Sequence, residues 1–433
     1  MTITKSLQTF GAYWRARRID SIRNVSEITA IQQRWLDRSL KAVSRDSPFY
    51  RQYGGKELSE WPVMTKSNWM HFFDKINTVG AQRATIEDIA LTAERSRNFS
   101  SEWCGYSVGL STGTSGARGL FIASPGERSR WAGTILGRLL RHGLLAHERI
   151  ALILRAGNTL YDSVNSLRLQ FRYFDLAQPW QQLCKAIVEF SPTILVGTPQ
   201  HLSRLVSETV RPAPRRVISV AEVLDEVDQA HIKAGFGVPV EQIYQATEGL
   251  LGMSCEFNNV HLNEPYMVVE REWQDAEKTR FVPIVTDLWR RTQPVIRYRL
   301  DDVLRLLPEP CPCGRPTTAL ANIDGRYDDV LWLSGPSGIG PVFPDLVTRT
   351  LVRAVPMIED YEVIERARGQ WTIRLSPIID NSVYSKLNDE FRVLAKQLNL
   401  QPPSIELELL PRYTLALTKR RRVRGLRDKA CAS

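Results

Sequence analysis

The 433-residue sequence contains no apolar run of about 18 residues, so it offers no candidate for a membrane-spanning helix. Its opening stretch, MTITKSLQTFGAYWRARRID, holds basic residues but no apolar h-region, and the reading predicts no secretory leader and a cytoplasmic protein. Cysteine is scarce, with six in the chain, too few for a disulfide scaffold at this length. There is no internal repeat, no low-complexity tract, and no helix-turn-helix or RNA-binding signature. Nucleic acid is therefore not predicted as a partner, although the formal net charge is +10. Much of that charge is local: KRRRVRGLRDK, from Lys419 to Lys429, carries seven basic residues against Asp428. The phosphate-loop pattern G-x-x-x-x-G-K-[ST] is also missing. What remains is 43% hydrophobic and 24% charged residues, which excludes a disordered chain and gives enough length for two or three domains.

Residues 1 to 90 read as amphipathic helices, as in ITAIQQRWLDRSLKAVSRDS, where apolar positions recur at helical spacing. From about residue 100 short apolar strands alternate with helices. RIALILRAG, TILVGT, RRVISVAE and PVEQIYQATEG read as strands, and QQLCKAIVEFS as a helix. This order predicts an α/β sheet with ligands beyond the carboxyl ends of its strands. Pro199 marks the first turn of a helix in which His201 is an ordinary helical residue rather than a base. A short charged link, GRYDDV, then leads to a small α+β unit with strand-like DYEVIERARGQWTIRLS, a helix near 383 to 398, and SIELELL.

Two stretches stand out chemically. GLSTGTSGARGLF places Gly109, Gly113, Gly116 and Gly119 among the hydroxyls of Ser111, Thr112, Thr114 and Ser115, between segments that read as strands. Glycine permits close backbone approach to a ligand, and the hydroxyls add donors, a composition suited to phosphate. The second is a pair of segments, CEFNNVH with Cys255 and His261, and CPCG with Cys311 and Cys313. Two ligand pairs from two loops follow the logic of a closed tetrahedral zinc site, although C-x-C is tighter and C-x₅-H wider than usual. The same residues also read as unrelated reduced thiols and a surface histidine.

In their order these motifs resemble the adenylate-forming ligase superfamily, and within it the phenylacetate–coenzyme A ligase branch, over nearly the whole chain from SPFYRQY and WPVMTKSNW to the basic tail. The resemblance implies a large multi-subdomain N-terminal adenylation domain, residues 1–326, and a small α+β C-terminal domain, residues 327–433, that rotates about a hinge at DGRYDDVLWL. It implies that Ser111 to Gly116 embrace the ATP phosphates. IYQATEG would place Tyr244, Gln245 and Ala246 at the nucleotide, Thr247 at the α-phosphate, and Glu248 on Mg²⁺. A metal and donors suit this step because carboxylate attack on the α-phosphorus brings two anions together. Ala221 and Glu222 would lie along the adenine, Asp302 would take the ribose hydroxyls, and Arg326 would sit near the ribose or phosphates. Lys419 would neutralise the charge of adenylate formation. The chain departs from the family pattern at Leu300, Asp301 and Thr418, where Thr, Gly and Gly are usual. In this branch the positions of Cys255, His261, Cys311 and Cys313 often hold cysteines and a histidine, which implies a structural zinc.

Finer likeness in HLNE, RFVPIVTDLWRRTQPVIRYRLDDVL and CPCG is to 3-hydroxybenzoate:acyl carrier protein ligases, implying an aromatic acid, with Trp131, Tyr161, Phe171 and Tyr173 as candidate pocket walls. The acceptor would be the phosphopantetheine thiol of an acyl carrier protein. Free coenzyme A and an amine are the alternatives, and a non-catalytic nucleotide binder is the non-enzymatic one. The net positive charge suits an acidic carrier or the phosphates of coenzyme A alike.

Overall fold

The computed structural model describes residues 2–111, 118–154, 165, 168–356, 358–376, 381–410 and 421–426. A twelve-stranded sheet organises the larger part of the chain. Glu148–Leu154, Leu169–Asp175, Ile194–Gly197, Arg216–Val220 and Val240–Ala246 form its parallel half. Helices cover both faces of this half, as its nearly continuous apolar strands require. Pro125–Leu139 packs on one face through Ile135 and Leu139, beside Ile150, Phe171 and Ile218. Pro199–Val206 and Glu226–Phe236 pack on the other, where Leu202, Leu205 and Ile232 meet Leu195 and Val217.

The helix starts follow local chemistry. Ser124 and Glu127 form a reciprocal capping box, Pro199 occupies the first turn, and Asp225 accepts from the backbone N–H of Asp228. The N-terminal helix Thr2–Asp20 lies across Pro125–Leu139, and glycine permits the approach. A Cβ at Gly133 would stand 2.1 Å from the Thr9 carbonyl oxygen.

Sequence periodicity predicted four of the five parallel strands and passed over Leu169–Asp175. The antiparallel remainder, absent from that reading, comprises Gly249–Ser254, Val260–Leu262, Met267–Trp273, Arg280–Asp287, Asp302–Leu306 and Ala319–Arg326, with short Tyr298–Arg299 paired to Arg280–Asp287. RFVPIVTD is buried along nearly its whole length, so it shows no alternation to read. The sheet changes sense between Val240–Ala246 and Gly249–Ser254, whose register Ala246↔Gly249 leaves Thr247 and Glu248 at the tip.

The predicted charged link is more ordered than its composition suggests. Ala319–Arg326 is a strand, Tyr327–Asp329 a single 3₁₀ turn, and Leu331–Gly335 the next strand, with Asp329 and Val330 buried. Beyond it a four-stranded sheet orders Ser404–Leu409, Gln370–Ser376, Asp360–Ala367 and Val423–Arg424. Helices Pro344–Ala354 and Asn381–Gln397 pack with it around Leu351, Tyr361, Trp371 and Phe391. This small α+β unit matches the expectation for the C-terminal part.

Candidate active site

A cavity of about 750 Å³ opens at the carboxyl ends of the parallel strands and reaches the small domain. Ala221 and Glu222 line it just beyond Arg216–Val220, and Tyr244, Gln245 and Ala246 line it at the end of the last parallel strand. Thr247 and Glu248 face it from the hairpin tip, Asp302 and Arg326 from the antiparallel half. Every described residue that the motifs singled out for nucleotide contact lies on this one cavity. Thr112, Gly113, Thr114, Ser115, Gly116 and Lys419 lie outside the described residues, as does Tyr161.

The glycine-rich loop leaves the hairpin Tyr106–Leu110/Leu120–Ala123, in register Leu110↔Leu120. Its neck is tied tightly. Ser111 N–H donates to the Gly119 carbonyl at 2.7 Å, Gly119 N–H donates to Ser111 Oγ at 2.7 Å, and Arg118 Nε donates to the Ser111 carbonyl at 2.8 Å. Arg118 also pairs with Glu94, fixing the neck to the helix Arg83–Ser96. Ser111 thus closes the loop, its hydroxyl oxygen accepting from Gly119 while its proton meets no acceptor among the described residues. Gly109 is required by packing, since a Cβ there would come within 2.4 Å of the Phe121 ring.

Tyr244 Oη donates to Asp302 Oδ2 at 2.6 Å. Burial, reinforced by the Asp302 charge, holds this phenol well above its ordinary pKa, so it remains a donor. Burial also raises Tyr298 far above its usual value, with Glu248 beside it adding to the effect. Arg326 Nη2 donates to Asp301 Oδ2 at 2.8 Å. Burial opposes its charge, but the surrounding carboxylates of Asp302, Asp301, Asp329 and Asp328 outweigh it and raise the guanidinium pKa. Asp301 is therefore an ion-pair partner of Arg326. The hairpin tip is fixed from behind, where Arg290 Nη1 donates to the Thr247 carbonyl at 2.7 Å. Ala221 adopts φ 70°, a left-handed conformation that costs a residue with a Cβ about 1 kcal/mol or more and here lies on the cavity wall.

Lys66 was not singled out by the sequence. It lines the same cavity, its Cε 3.5 Å from the Cβ position of Gly119, and burial lowers its pKa against the opposing pull of Glu248. Trp131, Phe171 and Tyr173 also line the cavity and give it an aromatic side. His201, read as an ordinary helical residue, is buried with Nδ1 2.7 Å from Thr198 Oγ1.

The four residues proposed for zinc converge. The ligand atoms of Cys255, His261, Cys311 and Cys313 all lie within 4.8 Å of one another, and all four residues are buried. Cys255 Sγ is 3.6 Å from Cys311 Sγ, and Cys313 Sγ is 3.3 Å from His261 Nε2. A sulfur separation of 3.6 Å is too long for a disulfide and close to the edge, about 3.8 Å, of a tetrahedron with zinc–sulfur bonds near 2.3 Å. His261 Nδ1 lies 3.1 Å from the Thr317 carbonyl, which orients Nε2 toward the thiols as a ligand histidine requires. His261 is 0% exposed, so the surface-histidine reading is excluded. The donor set fits zinc.

No protein-family model matches the sequence. Phenylacetate-coenzyme A ligase of Thermus thermophilus is 26% identical over 200 residues, covering 42% of this chain and 44% of the relative. The enzyme of the same name from Aromatoleum evansii is 25% identical over 193 residues, 40% and 42% of the two chains. The matches thus span less than half the length of these relatives. Among solved structures, 2-hydroxyisobutyryl-CoA ligase in the postadenylation state, in complex with R3-HIB-AMP, superposes with a TM-score of 0.71 at 16% identity, covering 95% of this chain and 92% of that one. An acyl acid amido synthetase in complex with 2,4-DB gives 0.54 at 13% identity, covering 93% and 92%. The mixed sheet, its helical layers and the small C-terminal domain are the fold seen in that 2-hydroxyisobutyryl-CoA ligase.

Proposed function

We propose that this chain is an acid–thiol ligase: it joins a carboxylic acid to the α-phosphate of ATP, releasing pyrophosphate, and passes the acyl group to a pantetheine thiol with release of AMP. The observation that carries the reading is the convergence on one cavity of Asp302 held by Tyr244, Arg326 held by Asp301, and the tip residues Thr247 and Glu248, beside the tied neck of the glycine-rich loop. Asp302 would accept from the ribose hydroxyls. Arg326, oriented by Asp301, would face phosphate oxygen, and Thr247 would donate to the α-phosphate. Glu248 would hold Mg²⁺, which supplies charge neutralisation as the carboxylate approaches the α-phosphorus. Thr112 to Gly116 would cradle the outgoing phosphates, and Lys419 would meet the charge that builds on the α-phosphate. Residues 327–433 would turn about the segment at Tyr327–Asp329 between the two steps. Zinc on Cys255, His261, Cys311 and Cys313 would be structural, since all four positions of a closed site are filled by protein.

The substrate proposed is an aromatic, hydroxybenzoate-like acid, supported by Trp131, Phe171 and Tyr173 along the cavity and by the relatives named phenylacetate-coenzyme A ligase. The acceptor shares one chemistry, the pantetheine thiol of coenzyme A or of an acyl carrier protein. The relatives favour coenzyme A, while the basic chain suits either. The likeness to an amido synthetase keeps an amine as the second reading. The test is incubation with ATP, magnesium and a panel of aryl acids. Acyl-CoA is measured by mass in one arm, acyl-loaded carrier protein in the second, and amide with a panel of amines in the third. Thioester in either of the first two arms supports the reading; amide alone, or AMP released at the same rate without acid, overturns it.

A further inference from the structure

The basic tail contains an arginine that is not a surface charge. Arg422 is buried, with 7% of its side chain exposed, and lies between the two domains. Its Nη1 pairs with Asp225 Oδ2, and its Nη2 donates to Asp228 Oδ1 at 3.1 Å. Both acids begin the large-domain helix Glu226–Phe236, Asp225 as its N-cap and Asp228 as acceptor of Ser203 Oγ at 2.8 Å. From the small domain, Asp360 Oδ1 lies 3.5 Å from Arg422 Nε, and the guanidinium carbon stands 4.9 Å from the centre of the Tyr361 ring.

The flanking residues are fixed as firmly. Arg421 Nε donates to Asp329 at 2.8 Å, in the turn between the domains. Val423 pairs in parallel with Val363, and Arg424 with Ile364. Arg421, Arg422 and Val423 all line the cavity that holds Glu248 and Asp302. Arg422 thus ties the last small-domain strand to the first turn of a large-domain helix at the rim of the active site. A guanidinium suits this place because its planar fork can reach two carboxylates at once.

We propose that Arg422, seated on Asp225 and Asp228, is a positioning residue that clamps the C-terminal segment to the large domain in the orientation used for adenylate formation. The clamp is opened for acyl transfer. The inference rests on the proposed two-step ligase reaction. Lys419 is three residues upstream, at most about 11 Å of extended chain, so whatever seats Arg422 limits where Lys419 can act. When the small domain turns, the fork must leave the buried carboxylate of Asp228 and the partly buried one of Asp225. Breaking such a pair is costly, so the clamp should bias the domain orientation rather than merely add stability.

The test uses the full-length protein with Arg422→Met, which keeps an apolar stem over Tyr361, Arg422→Lys, and Asp225→Asn, which keeps an amide oxygen to cap the helix. Tail accessibility is read without reference to activity, by trypsin cleavage at the basic run followed by intact mass. The half-reactions are read separately, as acid-dependent pyrophosphate exchange and as acyl transfer from synthetic acyl-adenylate. Arg422→Met and Asp225→Asn should each speed tail cleavage and slow exchange about tenfold or more, while transfer stays within about threefold of wild type. Arg422→Lys, with a charge but no fork, should fall between. Equal losses in both half-reactions with unchanged tail cleavage would overturn the proposal in favour of plain loss of stability. So would unchanged exchange and cleavage. If the wild-type protein shows no exchange with any acid, the ligase reading fails, and tail cleavage then decides the clamp alone.

Discussion

Replacing Tyr244 by Phe removes one oxygen from the site and leaves the ring in the core. That oxygen donates to Asp302 at 2.6 Å, and its raised pKa keeps it protonated across the working pH range. A hydrogen bond to a charged group contributes about 1.5 to 3 kcal/mol, and its loss leaves Asp302 Oδ2 short of a donor. If Asp302 accepts from the ribose, the carboxylate of Tyr244→Phe turns toward water and must be reordered at each binding event. With 1.4 kcal/mol per tenfold, the affinity for a non-hydrolysable ATP analogue should fall about ten- to a hundredfold. Stability should fall by about 1 to 3 kcal/mol, because a partly buried acceptor loses its partner while the apolar packing persists. Calorimetric titration with the analogue, beside thermal unfolding, measures both. Wild-type nucleotide affinity in a folded Tyr244→Phe protein would refute the assignment of Asp302 to the nucleotide, whatever happened to stability.

Glu248→Gln should lower magnesium-dependent adenylate formation about a hundredfold or more, checked by acid-dependent pyrophosphate release, because a neutral amide cannot offset the metal's charge. Chelator-washed wild-type protein should retain one zinc per chain by elemental analysis, and Cys311→Ser or Cys313→Ser should lower zinc content and melting temperature together. Gly109→Ala should destabilise the protein by about 1 to 3 kcal/mol in denaturant titration, since its Cβ would stand 2.4 Å from the Phe121 ring and the ring must move.

What was legible in the sequence was whatever a local pattern could carry. Most of the parallel half announced itself through apolar strands alternating with helices, whereas Thr247 and Glu248 were singled out by the resemblance of IYQATEG to a family motif. Among the antiparallel strands, Arg280–Asp287 is buried along most of its length and Val260–Leu262 is too short to show a period. The candidate zinc ligands were visible as two pairs, but only the fold brings Cys313 within 3.3 Å of a histidine 52 residues away in sequence. Long-range pairing hid the rest. The run KRRRV reads as a solvated charge cluster, yet Arg421 meets Asp329, 92 residues distant in sequence, and Arg422 meets Asp225, 197 residues distant. Nothing local marks Asp225 and Asp228 as more than a helix start. Lys66 reads as one more exposed lysine beside a threonine cap until the loop neck at Gly119 is placed against it.

The central claim is acid activation by ATP, and acid-dependent pyrophosphate–ATP exchange tests it most directly, because the assay needs neither acceptor nor second step. With magnesium and hydroxybenzoates the account predicts exchange that requires the acid, is lost in Lys419→Ala, and continues without coenzyme A, carrier protein or amine. Exchange absent with every carboxylic acid, or proceeding at the same rate with none, would contradict it.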